Sequence, residues 1–144
     1  EALALGQIPE HLMVVGGGVI GVEIGSVFAR LGSKVSIVEY FDSLIATMDG
    51  ALGHQLHRSL RKQGIEFYLK HKVTNATATD NKVVLKAENL SDKEEMSLEG
   101  DYCLMAIGRK PYIASLGLEN IGVKTNEKGQ VTVDKTLETN VNDI

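Results

Sequence analysis

Cysteine is nearly missing from this sequence. The one residue, Cys103, has no partner for an internal disulfide, so the fold does not depend on an oxidising compartment and an intracellular setting is expected. Cys103 falls in an apolar stretch and reads as a small core side chain rather than a reactive thiol. No apolar run approaches the roughly 20 residues of a membrane span, and the N-terminus lacks the basic-then-apolar order of a signal peptide. Net charge is −4 with acidic and basic residues interspersed, which argues against a nucleic-acid footprint or a polybasic membrane surface. Metal ligands are sparse: His54 and His57 lie three apart with nothing to complete a site, and both are expected to be solvated. No Ser-His-Asp grouping or acid–base pair stands out. The chain opens at Glu1 without an initiator methionine and stops at Asn142-Asp143-Ile144 without a capping element, so both ends are expected to be boundaries within a longer protein.

What is present is one domain's worth of core, with 43% hydrophobic residues in 144. Leu12-Met13-Val14-Val15, ended by three glycines, looks like a strand buried on both faces. Ile20, Ile24, Val27, Phe28 and Leu31 then recur at steps of three and four, predicting a helix that stops at Gly32. Val35 to Val38 reads as a second strand and completes a right-handed βαβ unit. Leu52, Leu56 and Leu60 predict a second helix over 49–63 with Gly64 as its stop, and Glu66 to Leu69 a third strand. Three β-type runs follow, Val73 to Thr79, Lys82 to Ala87 and Glu95 to Leu98, the first two joined by a tight turn at Asp80-Asn81. Asp101 to Ile107 again resembles a buried strand, and 109–144 is turn-rich and weakly patterned. The sum is an α/β, Rossmann-like fold. Its parallel sheet carries helices on one side and a three-stranded antiparallel meander on the other, where a crossover helix would otherwise lie.

Gly16, Gly18 and Gly21 spell G-x-G-x-x-G at the junction of strand one and helix one, the context that makes the motif specific. The first glycine permits a tight turn, the second lets a pyrophosphate approach the backbone, and the third lets helix and strand pack closely. The helix start supplies free N–H donors and about half a positive charge to an anion. Gly25 adds a glycine inside the helix, at a cost of about 1 kcal/mol relative to alanine, and so points to a tight packing contact. Glu39 ends strand two, 18 residues beyond Gly21, where a carboxylate accepts both hydroxyls of an adenosine ribose. A 2′-phosphate there would meet a like charge, at about 4 kcal/mol per unit pair for roughly 4 Å and an effective dielectric near 20. Tyr40 to Met48 contains no Arg or Lys to relieve it, so NAD is expected in preference to NADP. Glu23 reads as a first-turn acid that complements the helix dipole.

The run Gly16-Gly17-Gly18-Val19-Ile20-Gly21-Val22-Glu23-Ile24-Gly25, with Arg30-Leu31-Gly32, resembles the dihydrolipoyl dehydrogenases, a branch of the class I pyridine nucleotide-disulfide oxidoreductases. The likeness continues through Met48-Asp49, 59–64, Ala106-Ile107-Gly108-Arg109-Lys110-Pro111, Leu116-Gly117-Leu118-Glu119 and Thr139-Asn140-Val141. It implies a homodimeric flavoprotein, cytoplasmic in bacteria or in the mitochondrial matrix. Such an enzyme passes electrons from the dihydrolipoyl groups of 2-oxoacid dehydrogenase or glycine cleavage complexes through a Cys pair and FAD to NAD⁺. By the resemblance, this chain is the NAD-binding domain only, with its core at about 9–124 and 125–144 beginning a return toward the FAD domain. The Cys pair and the His-Glu pair of the family lie outside it, so the chain alone is expected to bind nucleotide without turnover. Gly16, Gly17, Gly18, Val19, Ile20 and Gly21 would hold the pyrophosphate, Glu39 the ribose and Val73 the adenine side. Ile20, Glu23 and Gly108 would flank the nicotinamide near the flavin. The family often carries a proline before helix two; this chain reads Leu44-Ile45-Ala46-Thr47-Met48, which predicts a less rigid loop. Two other readings stay open: an NADPH-dependent disulfide reductase, and a non-catalytic nucleotide-binding module.

Overall fold

The computed structural model describes residues 2–144. The chain divides into a unit ending at Ile107 and a second, Gly108–Ile144. The first contains β1 (His11–Val15), α1 (Val19–Arg30), β2 (Lys34–Val38), α2 (Gly50–Lys62), β3 (Glu66–Tyr68), β4 (His71–Ala78), β5 (Val83–Asn89), β6 (Glu95–Gly100) and β7 (Tyr102–Met105). The parallel sheet has the order β3-β2-β1-β7, with Val14 opposite both Ile37 and Leu104. β4, β5 and β6 form a separate antiparallel sheet in sequence order, with a register shift between Val73 and Asn75. This is the parallel sheet and three-stranded meander that the sequence predicts.

The unbroken apolar run of β1 follows from having a core on each face. Leu12 and Val14 join Val35, Ile37, Val22, Phe28 and Leu60 under the helices. Met13 and Val15 join Val38, Leu85 and Ala87 under the meander. Each such side chain, fully buried, contributes on the order of 1.5–3 kcal/mol. Cys103 packs partly buried at the edge of the meander core, as expected.

Two helix faces differ from the sequence pattern. On α1 the buried stripe is Gly21, Val22, Gly25 and Phe28, while Ile20, Val27 and Leu31 are exposed. Their spacing is helical, but β2 lies so close that glycines occupy the contact: a Cβ on Gly25 would sit 3.2 Å from the Ile37 side chain. On α2, Leu60 is buried and Leu56 partly so, but Leu52 is 58% exposed. Its place toward the core is taken by Gly53, which faces the Leu44 carbonyl.

The second unit has little regular structure. It holds a single 3₁₀ turn at Leu118–Ile121, between left-handed Gly117 and Gly122, and an isolated bridge from Thr125 to Val131. Asp134 and Asn126 organise its turns by accepting hydrogen bonds from backbone amides two and four residues on.

Candidate dinucleotide site

The glycine loop lies at the C-terminal ends of the parallel strands, where open α/β sheets present ligand sites. Gly16 turns the chain with φ +108°, its N–H bonded to the Val38 carbonyl at 2.8 Å, and a Cβ there would strike the Ala106 carbonyl oxygen. Gly21 carries the close approach of α1 to β1, since a Cβ on it would collide with the Gly16 carbonyl oxygen and press on Val14. Between them, Gly18 has open space where its side chain would be. Gly18 is also the N-cap of α1, and no side chain caps it. The first helical bond is donated by Val22 N–H to the Gly18 carbonyl, at 3.0 Å. The amides of Val19, Ile20 and Gly21 therefore lie at the positions that have no acceptor within the helix. Open space, free donors and the positive end of a helix dipole fit a diphosphate.

Glu39 follows the last residue of β2, and its backbone is gripped on both sides: its N–H donates to Tyr68 at 2.9 Å, and its carbonyl accepts from His71 at 2.9 Å. The side chain points to the glycine loop and is 8% exposed. One carboxylate oxygen accepts from the Gly17 N–H, and the other from the Phe41 N–H at 2.7 Å. Each oxygen keeps a second lone-pair direction, so the group can still accept two sugar hydroxyls. The carboxylate thus locks the loop as well as bounding its mouth, a role the sequence did not reveal.

Leu44 and Ile45 were also hidden in the sequence. Both are buried, and the Ile45 N–H donates to the Gly17 carbonyl at 2.9 Å, while Met48 N–H closes a turn onto Ile45 at 2.8 Å. The absence of proline therefore does not leave this loop loose: it is pinned to the Gly17 carbonyl, and Glu39 holds the Gly17 N–H. Ile45 adopts φ +45°, an unusual conformation for a β-branched residue, held by burial and this bond. Two adjacent apolar residues within a polar stretch were the available signal.

Of the other expected residues, Val73 lies on β4 two positions beyond His71 and packs against the meander core. Glu23 is exposed in the second turn of α1, not the first, because the helix begins at Val19; its benefit from the dipole is correspondingly smaller. Gly108 belongs to the second unit, where its backbone takes φ +150°. His54 is exposed, but His57 is half-buried, stacked edge-on against Phe67 with ring centres 4.8 Å apart.

The fold also assembles a serine–histidine–carboxylate chain that the sequence did not suggest. The Ser36 Oγ lies 2.9 Å from His11 Nε2 and 3.0 Å from Glu66 Oε2. Burial alone would raise the Glu66 carboxyl, but the Ser36 hydroxyl, the Lys34 ammonium and the Tyr68 hydroxyl outweigh it and hold the group below its ordinary value. Ser36 is completely buried, out of reach of a substrate, so the chain ties β1, β2 and β3 together near their N-terminal ends.

The model of the pyridine nucleotide-disulphide oxidoreductase family matches residues 1–144. Dihydrolipoyl dehydrogenase 3 of Pseudomonas putida is 45% identical over 130 residues, covering 90% of this chain and 28% of the relative. The mitochondrial dihydrolipoyl dehydrogenase of Pisum sativum is 41% identical over 143 residues, covering 99% of this chain and 28% of the relative. Among solved structures, the HOCl-induced flavoprotein disulfide reductase RclA of Escherichia coli superposes with a TM-score of 0.82 at 37% identity, covering 97% of this chain and 30% of that one. The chain thus spans under a third of the length of these proteins. With a family model covering its whole length and a loop, helix and acidic strand end in the arrangement just described, the chain belongs to the pyridine nucleotide-disulphide oxidoreductase family.

Proposed function

We propose that this chain is the NAD(H)-binding portion of a flavin-dependent dihydrolipoyl dehydrogenase. One observation carries the nucleotide preference: the Glu39 carboxylate is held at the mouth of the glycine loop by two backbone amides, where a ribose diol would meet it and a 2′-phosphate would be repelled. In this reading the amides of Gly18, Val19, Ile20 and Gly21 bind the diphosphate and Val73 borders the adenine. Glu23 and Ile20 approach the nicotinamide. The names of the relatives support the rest: a whole protein that oxidises a dihydrolipoyl dithiol by two electrons and reduces NAD⁺ to NADH with release of a proton. FAD, when bound, relays the electron pair between dithiol and nicotinamide; this chain's part is to orient the nicotinamide and fix the nucleotide. The exposed apolar residues Ile20 and Val27 on α1, with Leu31 at its C-cap, suit burial against the flavin-binding portion. The whole protein is read as a homodimer that serves a lipoyl-bearing partner, in a bacterial cytoplasm or a mitochondrial matrix.

The test is the whole protein assayed for NADH formation from NAD⁺ and dihydrolipoamide, with NADP⁺ in parallel. Turnover with NAD⁺ and at most a few per cent of that rate with NADP⁺ is expected. Absence of dihydrolipoamide-dependent NADH formation in a flavin-loaded sample would refute the reading.

A further inference from the structure

We propose that the outer face of α2 is an anion site for a small oligophosphate, a ligand bearing at least two phosphoryl groups. His54, His57, Arg58, Arg61 and Lys62 line an open groove of about 490 Å³ there. Their numbers advance by three, one, three and one, the spacing of a single helical stripe. Basic residues that look interspersed in the sequence, on a chain of net charge −4, are therefore gathered by the helix into one surface.

The stripe has no internal relief. Among the described residues the ion pairs are Lys34–Glu66, Lys82–Asp101 and Lys93–Glu88, and none involves α2. The i,i+4 pairs along it, His54–Arg58, His57–Arg61 and Arg58–Lys62, join like or potentially like charges, which disfavours an isolated helix. The helix dipole accounts for Arg61 and Lys62 in the last turn, but its effect fades before His54. β3, packed beneath, presents Phe67 on this side and no charge, because Glu66 is engaged with Ser36 and Lys34 among residues of the other face. The crowding is felt at His57, whose imidazolium is disfavoured by burial, then by Arg61 and His54.

The charge and geometry select the ligand. Arg58 and Arg61, one turn apart with Cβ atoms roughly 5–6 Å from each other, offer two planar forks that bind phosphoryl oxygens bidentately, and Lys62 adds a point charge. A single monovalent anion would leave most of these cations unneutralised, whereas a chain of phosphoryl groups matches them.

The experiment follows the His54 and His57 imidazole signals by NMR while the 144-residue chain is titrated with sodium tripolyphosphate in the absence of nucleotide. Saturable shifts at both histidines are expected, with half-saturation on the order of 1 mM or below. The His57 titration midpoint should rise once the groove is filled. The Arg58→Gln/Arg61→Gln variant, which alters only exposed side chains, should weaken binding at least tenfold; Ser59→Ala should leave it unchanged. Shifts that never saturate, that sodium chloride reproduces at equal ionic strength, or that survive in the double variant would overturn the proposal. Because the readout lies on α2, it stands or falls independently of the nucleotide assignment.

Discussion

Replacing Glu39 by alanine tests two duties at once, the loop lock made by its two backbone hydrogen bonds and the ribose contact proposed for it. The substitution leaves the buried Gly17 N–H and the partly buried Phe41 N–H without acceptors. Leaving a buried donor unsatisfied costs about 1–3 kcal/mol, and the Phe41 amide, nearer to water, costs less. The expected loss of unfolding free energy is therefore about 2–4 kcal/mol, read by urea denaturation. Nucleotide binding should respond differently for the two cofactors. NADH loses two hydrogen bonds to a charged group, about 1.5–3 kcal/mol each at most, which corresponds to a Kd raised by about a hundredfold or more. NADPH, whose 2′-phosphate replaces one of the two hydroxyls, loses at most the 3′-hydroxyl contact and is released from a repulsion of several kcal/mol, so its Kd should change little or fall. Calorimetric titration of the folded variant with both nucleotides supplies the ratio. An NADH-to-NADPH preference identical to that of the parent would refute the ribose role. A stability within about 0.5 kcal/mol of the parent would refute the loop lock.

Two other perturbations probe the frame around the site. Gly21→Ala forces a methyl group onto the Gly16 carbonyl and Val14, an overpacking expected to cost about 1–3 kcal/mol and to weaken NADH binding together with it; a stable variant with unchanged affinity would contradict the close approach of α1 to β1. Asp101 gives an acid-dependent term: the His11 N–H at 2.8 Å, and then the Lys82 ammonium at 3.0 Å, hold its carboxyl below the ordinary value. Its stabilisation is thus complete above the unfolded pKa of about 3.9 and vanishes as pH falls through the lower folded value. Urea midpoints for Asp101→Asn and the parent should differ at pH 7 and converge toward pH 3; a gap constant with pH would contradict this.

The legible parts of the molecule were those encoded by local pattern. The alternation of two cores through β1, the Gly32 and Gly64 stops, and the turn at Asp80-Asn81 all leave a mark on neighbouring residues. Helix faces were legible only to the extent that buried residues are apolar. On α1 the tightest contact is made by Gly21 and Gly25, which periodicity cannot count as core, so the exposed Ile20 and Val27 took their place in the pattern. The position of Glu39 followed from its distance to the glycines, but its bonds to Gly17 and Phe41 depend on a loop conformation that no spacing specifies. Ile45 was less accessible still, since its left-handed backbone runs against its own preference and is imposed by tertiary packing. The His11-Ser36-Glu66 chain joins residues 25 and 30 apart in sequence, which only the strand order brings side by side.

The uncapped amides at the start of α1 are proposed to receive the diphosphate, and amide NMR of the folded chain during NADH addition observes them directly. Saturable shifts concentrated at Gly18, Val19, Ile20 and Gly21, accompanied by shifts at Gly17 and Phe41 beside the Glu39 carboxylate, are the predicted result. Unmoved signals at those amides up to millimolar NADH, or saturable shifts confined to another surface, would contradict it.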